Sequence, residues 1–329
     1  MLNVKWIGST GTVFVLMLAL LSCGKNDLYD AGKISLETVV AAGGSFTEGY
    51  TGVEDILRTV TLTKNLHVGK YEITYYQWMT IKNWAGDHDY GFYSSGYQGS
   101  DSDHANDDHP VTYITWRDCI AWCNALSENE GLTPCYYTSA LQDKIFRDAS
   151  IYAYDEDDDY YEEEEDYDRD ISNDCVNWNA DGYRLLTGAE WEYAARNGGT
   201  SQGDEFSGYV DGSQALGDYC WYSGNSGGYT HEVGKKNQNS LGLYDMTGNV
   251  MEWCWDWKED WTTESVTDPQ GPDTGSSRSI RGGAFYHLPF DASVTYSDLL
   301  KSLLTSYREC AGPAYGEDGL GFRICRISE

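Results

Sequence analysis

Positive charge is scarce in this chain: 22 Lys and Arg stand against 53 Asp and Glu, a formal charge of −31. Such a surface repels phosphate backbones, which excludes nucleic acid as a partner. Proline is scarce too, 6 residues against 36 Gly, so tight turns fall to glycine. No apolar run reaches the ~20 residues of a membrane-spanning helix. No Cys-x-x-Cys pair occurs, which removes the common thiolate metal motifs. The aromatic supply is generous, with 27 Tyr and 12 Trp beside 8 Phe. That is ample material for a core, and wholesale disorder is excluded.

Residues 1–22 read as a lipoprotein signal peptide. Lys5 gives the positive start, and the run from Gly11 to Leu21 gives the apolar stretch. It ends in Leu20-Leu21-Ser22-Cys23, the pattern in which the Cys is diacylated and becomes the new N-terminus. Several acyl chains on one residue anchor stably where one would not. The expected product is a cell-envelope lipoprotein, at the outer membrane, held to the membrane through Cys23. Eight further cysteines remain: Cys119, Cys123, Cys135, Cys175, Cys220, Cys254, Cys310 and Cys325. An even number in an oxidising compartment points to disulfides, with the pairing left open.

Residues 23–40 read as a polar tether and 41–329 as one domain, because no Pro- or Ser-rich linker divides it. Val60 to Tyr76 carries β-branched and aromatic residues in loose alternation and predicts a strand. Trp116, Ile120, Cys123 and Ala125 fall at helical spacing and predict a helix to Leu126. A second helix is predicted over Ala189–Arg196, its start marked by Thr187 and Glu190 as a capping box. Residues 86–108 read as a long loop. An acidic insertion occupies about 148–172; within it, residues 155–170 hold twelve carboxylates and one Arg. A run that repels itself cannot bury area, so it reads as solvated.

Ordered blocks then give a resemblance. They are Gly43-Gly44-Ser45-Phe46, VGKYEIT from Val68, HPVTYITWRDCIAWC from His109, YRLLTGAEWEYAAR from Tyr183, LGLYDMTGNVMEWC from Leu241, Arg281-Gly282-Gly283 and Gly321-Phe322-Arg323. Together they resemble the formylglycine-generating enzyme, or sulfatase-modifying factor, domain across roughly residues 41–327. The resemblance implies an α+β, C-type-lectin-like fold of short twisted antiparallel strands, few helices and much irregular structure. Leu186 and Gly188 replace the family's usual Pro and Glu, which puts the turn before that helix in doubt. Arg184, Arg281 and Arg323 are expected to tie loops together around the groove, since such a fold must satisfy many irregular backbone groups.

The resemblance also implies a calcium turn, with side-chain oxygen from Asp245 and Glu252 and backbone carbonyls from Gly248 and Val250. Hard cations take six to eight oxygen ligands, which suits a glycine-containing turn. The rival reading makes Asp245 a turn former and Glu252 the partner of a buried Arg. By position in the family, Cys123 is expected to bridge to Cys325 on the C-terminal strand. Cys135 with Cys175 is the other expected pair, because they flank the acidic insertion.

Family enzymes place two cysteines after the Arg-Gly-Gly turn, and their thiolates hold copper(I). Here His287 stands at the first position and Ala292 near the second, and no Cys lies between Cys254 and Cys310. Copper and formylglycine synthesis are therefore not expected. The reading is a noncatalytic binding or assembly module for a protein or glycan ligand, with His287 a polar groove residue. The alternative is a copper- or iron-dependent oxidase with an altered site, in which His287 is a metal or substrate ligand. Cells fed a palmitate analogue should label the wild-type protein and not Cys23→Ser; unlabelled wild type would remove the lipid anchor.

Overall fold

The computed structural model describes residues 34–49, 56–100, 103–150, 171–199, 205–209, 215–286 and 300–328. Cys23, the acidic run 155–170, His287 and Ala292 lie outside the described residues.

Three helices start by one local device. α1 (Tyr75–Gly86), α2 (Trp116–Glu130) and α3 (Gly188–Ala195) follow Thr74, Thr115 and Thr187. Each Thr side chain accepts from the backbone three residues on, and the side chain there (Gln77, Asp118 or Glu190) returns to the Thr amide. Such a box satisfies two helix-end donors that nothing else would. The capping box expected at Thr187 is therefore present despite Leu186 and Gly188, and the Gly188 amide is held by Asp256. The Thr74 box also explains a correction. The segment Val60–Tyr76 is not one strand but the end of one, a second, and the first turns of a helix.

Four short strands precede α1: β1 (Thr38–Ala41), β2 (Gly44–Glu48), β3 (Arg58–Leu62) and β4 (Leu66–Gly69). β5 (Tyr97–Gln98) and β6 (Val111–Thr112) separate α1 from α2, and β7 (Arg184–Leu185) leads into α3. After α3 come β8 (Met251–Trp257), β9 (Val266–Thr267), β10 (Arg278–Arg281), β11 (Glu309–Ala311), β12 (Leu320–Phe322) and β13 (Ile324–Ile327). One sheet has the order β1-β4-β13-β7 and another β11-β10-β8-β12, with smaller groups β2-β3-β9 and β5-β6. Most pairs are antiparallel; β8 with β12 and β3 with β9 run parallel. β1 lies across the boundary expected between tether and domain, because Thr38–Ala41 pairs with β4. The stretch 86–108 is not all loop, since β5 within it pairs with β6.

Between the two larger sheets and the helices sits a core of tryptophan. Trp78 and Trp122 stack nearly parallel at 6.3 Å, and Phe322 meets both edge-on. Arg278 is buried between Trp116 at 3.7 Å and Trp257 at 3.4 Å, so its charge rests on ring faces.

All eight described cysteines are free thiols, and neither expected bridge is formed. Cys135 and Cys175 flank the pair Tyr136 and Val176, but out of register. Cys135 accepts from Asn177 N and Cys175 from Tyr137 N, so the two stand diagonally across the ladder. Diagonal side chains are about 7–8 Å apart, too far for a disulfide. The neck beneath the insertion is closed instead by this backbone pairing and by buried Ala149 and Ile171. Cys325 turns its sulfur to the Leu185 carbonyl at 3.8 Å rather than bonding Cys123. Burial pushes the thiols of Cys123 and Cys325 well up and that of Cys135 to about 12, which keeps them protonated and unreactive.

Candidate recognition cleft and its ionic support

The turn Arg281-Gly282-Gly283 follows β10 and is joined by backbone to the turn before β8. Gly248 N donates to Gly282 O at 2.9 Å, and Phe285 N to Asn249 O at 2.8 Å. Gly248, at φ 77°, presses against the Trp221 carbonyl so closely that a Cβ would collide with it. Asn249 also adopts a positive φ, 60°, and its side chain holds it there. It accepts from His231 N at 2.9 Å and donates to Glu72 at 2.6 Å.

Beneath the turn runs a buried chain of opposite charges. Arg281 faces Glu192 at 3.2 Å and Glu48 at 3.5 Å, and donates to the carbonyls of Thr305, Ser306 and Tyr307. Arg58 binds Glu48 at 2.7 Å and Glu259 at 3.0 Å, while Arg196 binds Glu192 at 2.9 Å. Burial, and then repulsion from Glu192, pushes the Glu48 carboxyl up to about 7. The Arg58–Glu48 and Arg196–Glu192 partners were not singled out in the sequence. Only Glu192 and Arg196, one turn apart on α3, carried a readable signal.

A second buried ionic group holds the other arginine. Arg323 grips Glu252 by Nη2 at 2.8 Å and by Nε at 3.1 Å to both oxygens, and donates to the carbonyls of Gly69 and Tyr244. Trp191 Nε1 donates to Glu252 Oε2 at 2.7 Å. Arg184 forms a two-pronged pair with Glu190 at 2.7 Å on each prong, away from the cleft. The structure thus brings Arg281 to the cleft and leaves Arg184 and Arg323 as internal ties.

These contacts bear on the expected calcium turn. Both Glu252 oxygens are engaged by Arg323 and Trp191, the arrangement of the rival reading. Val250 N and Asn249 are held by Glu72, a buried carboxyl absent from the expected set. Asp245 Oδ2 accepts from Gly234 N at 2.7 Å, but Oδ1 is buried without a partner. Among the described residues no three His, Cys, Asp or Glu are grouped as metal ligands. A calcium ion in this turn would have Asp245 Oδ1 as its side-chain ligand, with the Gly248 and Val250 carbonyls; Glu252 could join only by leaving Arg323.

The chain matches the sulfatase-modifying factor enzyme 1-like domain family over residues 30–327. It belongs to the sulfatase-modifying factor family. It is 32% identical over 311 residues to a protein named chaperone protein LppX from Paenibacillus barcinonensis, covering 89% of this chain and 92% of that one. It is 42% identical over 118 residues to the formylglycine-generating enzyme of Thermomonospora curvata, 32% of this chain and 39% of the enzyme. Treponema denticola variable protein 1 superposes with a TM-score of 0.69 at 31% identity, over 90% of this chain and 97% of that one. The fold is the family's α+β arrangement of few helices and short strands.

In this sulfatase-modifying factor domain the Arg-Gly-Gly turn borders a narrow cleft of about 20 Å³, room for little more than one water, lined by Met251, Arg281, Gly283, Ala284, Tyr286 and Tyr307 among others. No cysteine lines it. Cys254 and Cys310 lie on β8 and β11 with β10 between them, about 10 Å by strand spacing.

Two outcomes follow from the buried carboxyls. Glu48, pushed from 4.5 to about 7, binds its proton more tightly folded than unfolded. Asp245, pushed by burial from 3.8 to about 6, acts in the same direction. Stability should therefore decline as pH rises from about 4.5 to about 7. Urea midpoints at the two ends should show that decline, and Glu48→Gln should flatten it; an unaltered slope in Glu48→Gln would discount Glu48. For calcium, chelation should lower the melting temperature of wild type but not of Asp245→Asn. An unchanged wild-type midpoint would remove the ion from this turn.

Proposed function

We propose that this chain is a noncatalytic recognition or assembly module, carried on the cell envelope by lipid at Cys23 and offering the Arg281–Tyr286 cleft to a protein or glycan. One observation carries the reading. Among the described residues, the cleft beside the Arg-Gly-Gly turn is lined by glycine backbone, Tyr and apolar groups with Arg281, Ser302 and Glu309, and by no thiol. His287 and Ala292 stand where family enzymes have their cysteines, and a single imidazole is no substitute for a two-thiolate clamp on copper(I). Arg281 is already matched by Glu48, Glu192 and three carbonyls, so its role here is to hold the turn rather than to bind a charged substrate.

The similarity across nearly the whole of a protein named a chaperone supports binding to another polypeptide. The similarity to the formylglycine-generating enzyme covers only 39% of that enzyme and carries no activity by itself. Anchoring at the outer membrane and calcium in the Asp245 turn belong to the same proposal.

The deciding experiment is chemical. Purified protein supplied with copper(I), air and a Cys-containing sulfatase peptide should give no aldehyde product by mass beyond a protein-free control. Loss of the thiol with gain of an aldehyde would overturn the noncatalytic reading in favour of the oxidase.

A further inference from the structure

Beside the cleft, on the face that carries β5 and β6, aromatic side chains stand in water rather than in the core. Tyr97, Tyr113 and Tyr315 are 58%, 41% and 46% exposed, although the core has room for so many other rings. Tyr97 and Tyr113 lean on each other with ring centroids 4.8 Å apart. Tyr113 holds φ 53°, a left-handed conformation that a bulky side chain avoids. It is kept there by neighbouring chain: Tyr113 N donates to Glu317 O at 2.9 Å, and Gly316 packs against the Tyr113–Ile114 backbone. On the other side, the Tyr286 ring lies against Gly319, where any Cβ would strike it. The segment 315–319 therefore sits between Tyr113 and Tyr286, and Tyr286 continues into the cleft.

Two carboxylates belong to that segment. Glu317 accepts from Tyr315 OH at 2.8 Å, and its charge reaches Tyr286. Asp318 is half-buried, and its charge reaches Tyr113, Tyr286 and Tyr315. Among the described residues neither carboxylate has an ion-pair partner, whereas the buried Glu48 and Glu252 each face an arginine. Burial raises the Asp318 carboxyl. The notch thus combines aromatic faces with unneutralised negative charge. Ring faces attract cations, and carboxylates complete the attraction at their edge.

We propose that this notch seats an arginine side chain of a partner polypeptide, its guanidinium lying on the tyrosine faces and hydrogen-bonded to Asp318. Arginine fits better than lysine because a planar guanidinium stacks on rings while its fork of donors meets a carboxylate. The chain's −31 charge draws basic segments toward it from a distance, and the notch supplies the local specificity. The inference deepens the recognition reading above and rests on it, by naming the chemistry of the partner.

The test uses fluorescence anisotropy with a fluorescein-labelled peptide of three arginines spaced by glycine. Its counterpart has citrulline, the neutral isostere, in their place. The arginine peptide should bind at least tenfold tighter. Asp318→Asn should weaken it about tenfold and Tyr315→Ala roughly threefold, amounts expected for a charge pair and a cation on a ring. The control Glu264→Gln removes one exposed carboxylate elsewhere and should shift binding less than about twofold. All three changes are partly or fully exposed, and matching melting curves check that the variants are folded. Equal binding of the citrulline peptide, or equal losses from Asp318→Asn and Glu264→Gln, would overturn the notch. So would sedimentation showing a dimer that Tyr97→Ala disperses, since the surface would then be covered by a second copy. These failures are distinct from aldehyde formation, which strikes the recognition reading and leaves arginine binding to be measured separately.

Discussion

The ion pair of Arg323 with Glu252 is the tie on which the rest of the molecule depends. Arg323 lies between β12 and β13, and its guanidinium reaches Glu252 on β8, the Gly69 carbonyl at the end of β4 and the Tyr244 carbonyl. Trp191 of α3 closes on the same carboxylate. One charged group thereby links two sheets, a helix and an irregular loop that share no continuous backbone ladder. Burying two ions is expensive, and the geometry must be good for attraction to offset desolvation. Here each Glu252 oxygen is satisfied and Arg323 makes five hydrogen bonds, which meets that condition. Removing one partner of such a pair costs about 3–5 kcal/mol, more than most single hydrophobic contacts. In a fold with so little regular structure, these few tightly matched charges do the work that long ladders do elsewhere.

The same logic explains what could be read from the sequence. The capping box at Thr187 and the helix at Trp116 were legible because their partners lie three or four positions away. The Thr74 and Gln77 box was equally local, but it was hidden inside a run of β-branched residues and read as strand. Family blocks gave the fold, since each marks a turn or strand end that the sheets reuse. The ionic partners were not legible: Glu252 and Arg323 are 71 positions apart, and Arg281 finds Glu48 across most of the chain. Disulfides failed for a related reason. Spacing placed Cys135 and Cys175 at one neck, but a register offset decides whether facing residues can bond, and register is a property of pairing.

The turn from Asp245 to Glu252 is shaped by the chain's own hydrogen bonds. Glu72 takes the hydrogen bonds of Asn249 and Val250, and Arg323 neutralises Glu252. Asp245 Oδ1 is the remaining unmatched oxygen of that turn. Any ion there would add to a turn that hydrogen bonds already shape, rather than create it.

Charge also separates the interior from the recognition surface. Inside, Glu48, Glu192 and Glu252 are matched to arginines, while Glu72 and Asp245 are held by amide donors instead. At the Tyr113–Asp318 face three tyrosines are exposed, and among the described residues Glu317 and Asp318 have no ion-pair partner. A folded chain gains nothing in stability from exposing three tyrosines or from holding a bulky residue at positive φ. Both become useful once a cation from outside supplies the missing partner. Open rings beside carboxylates, rather than the already matched Arg281 of the cleft, are the ground on which this face is proposed to meet another molecule.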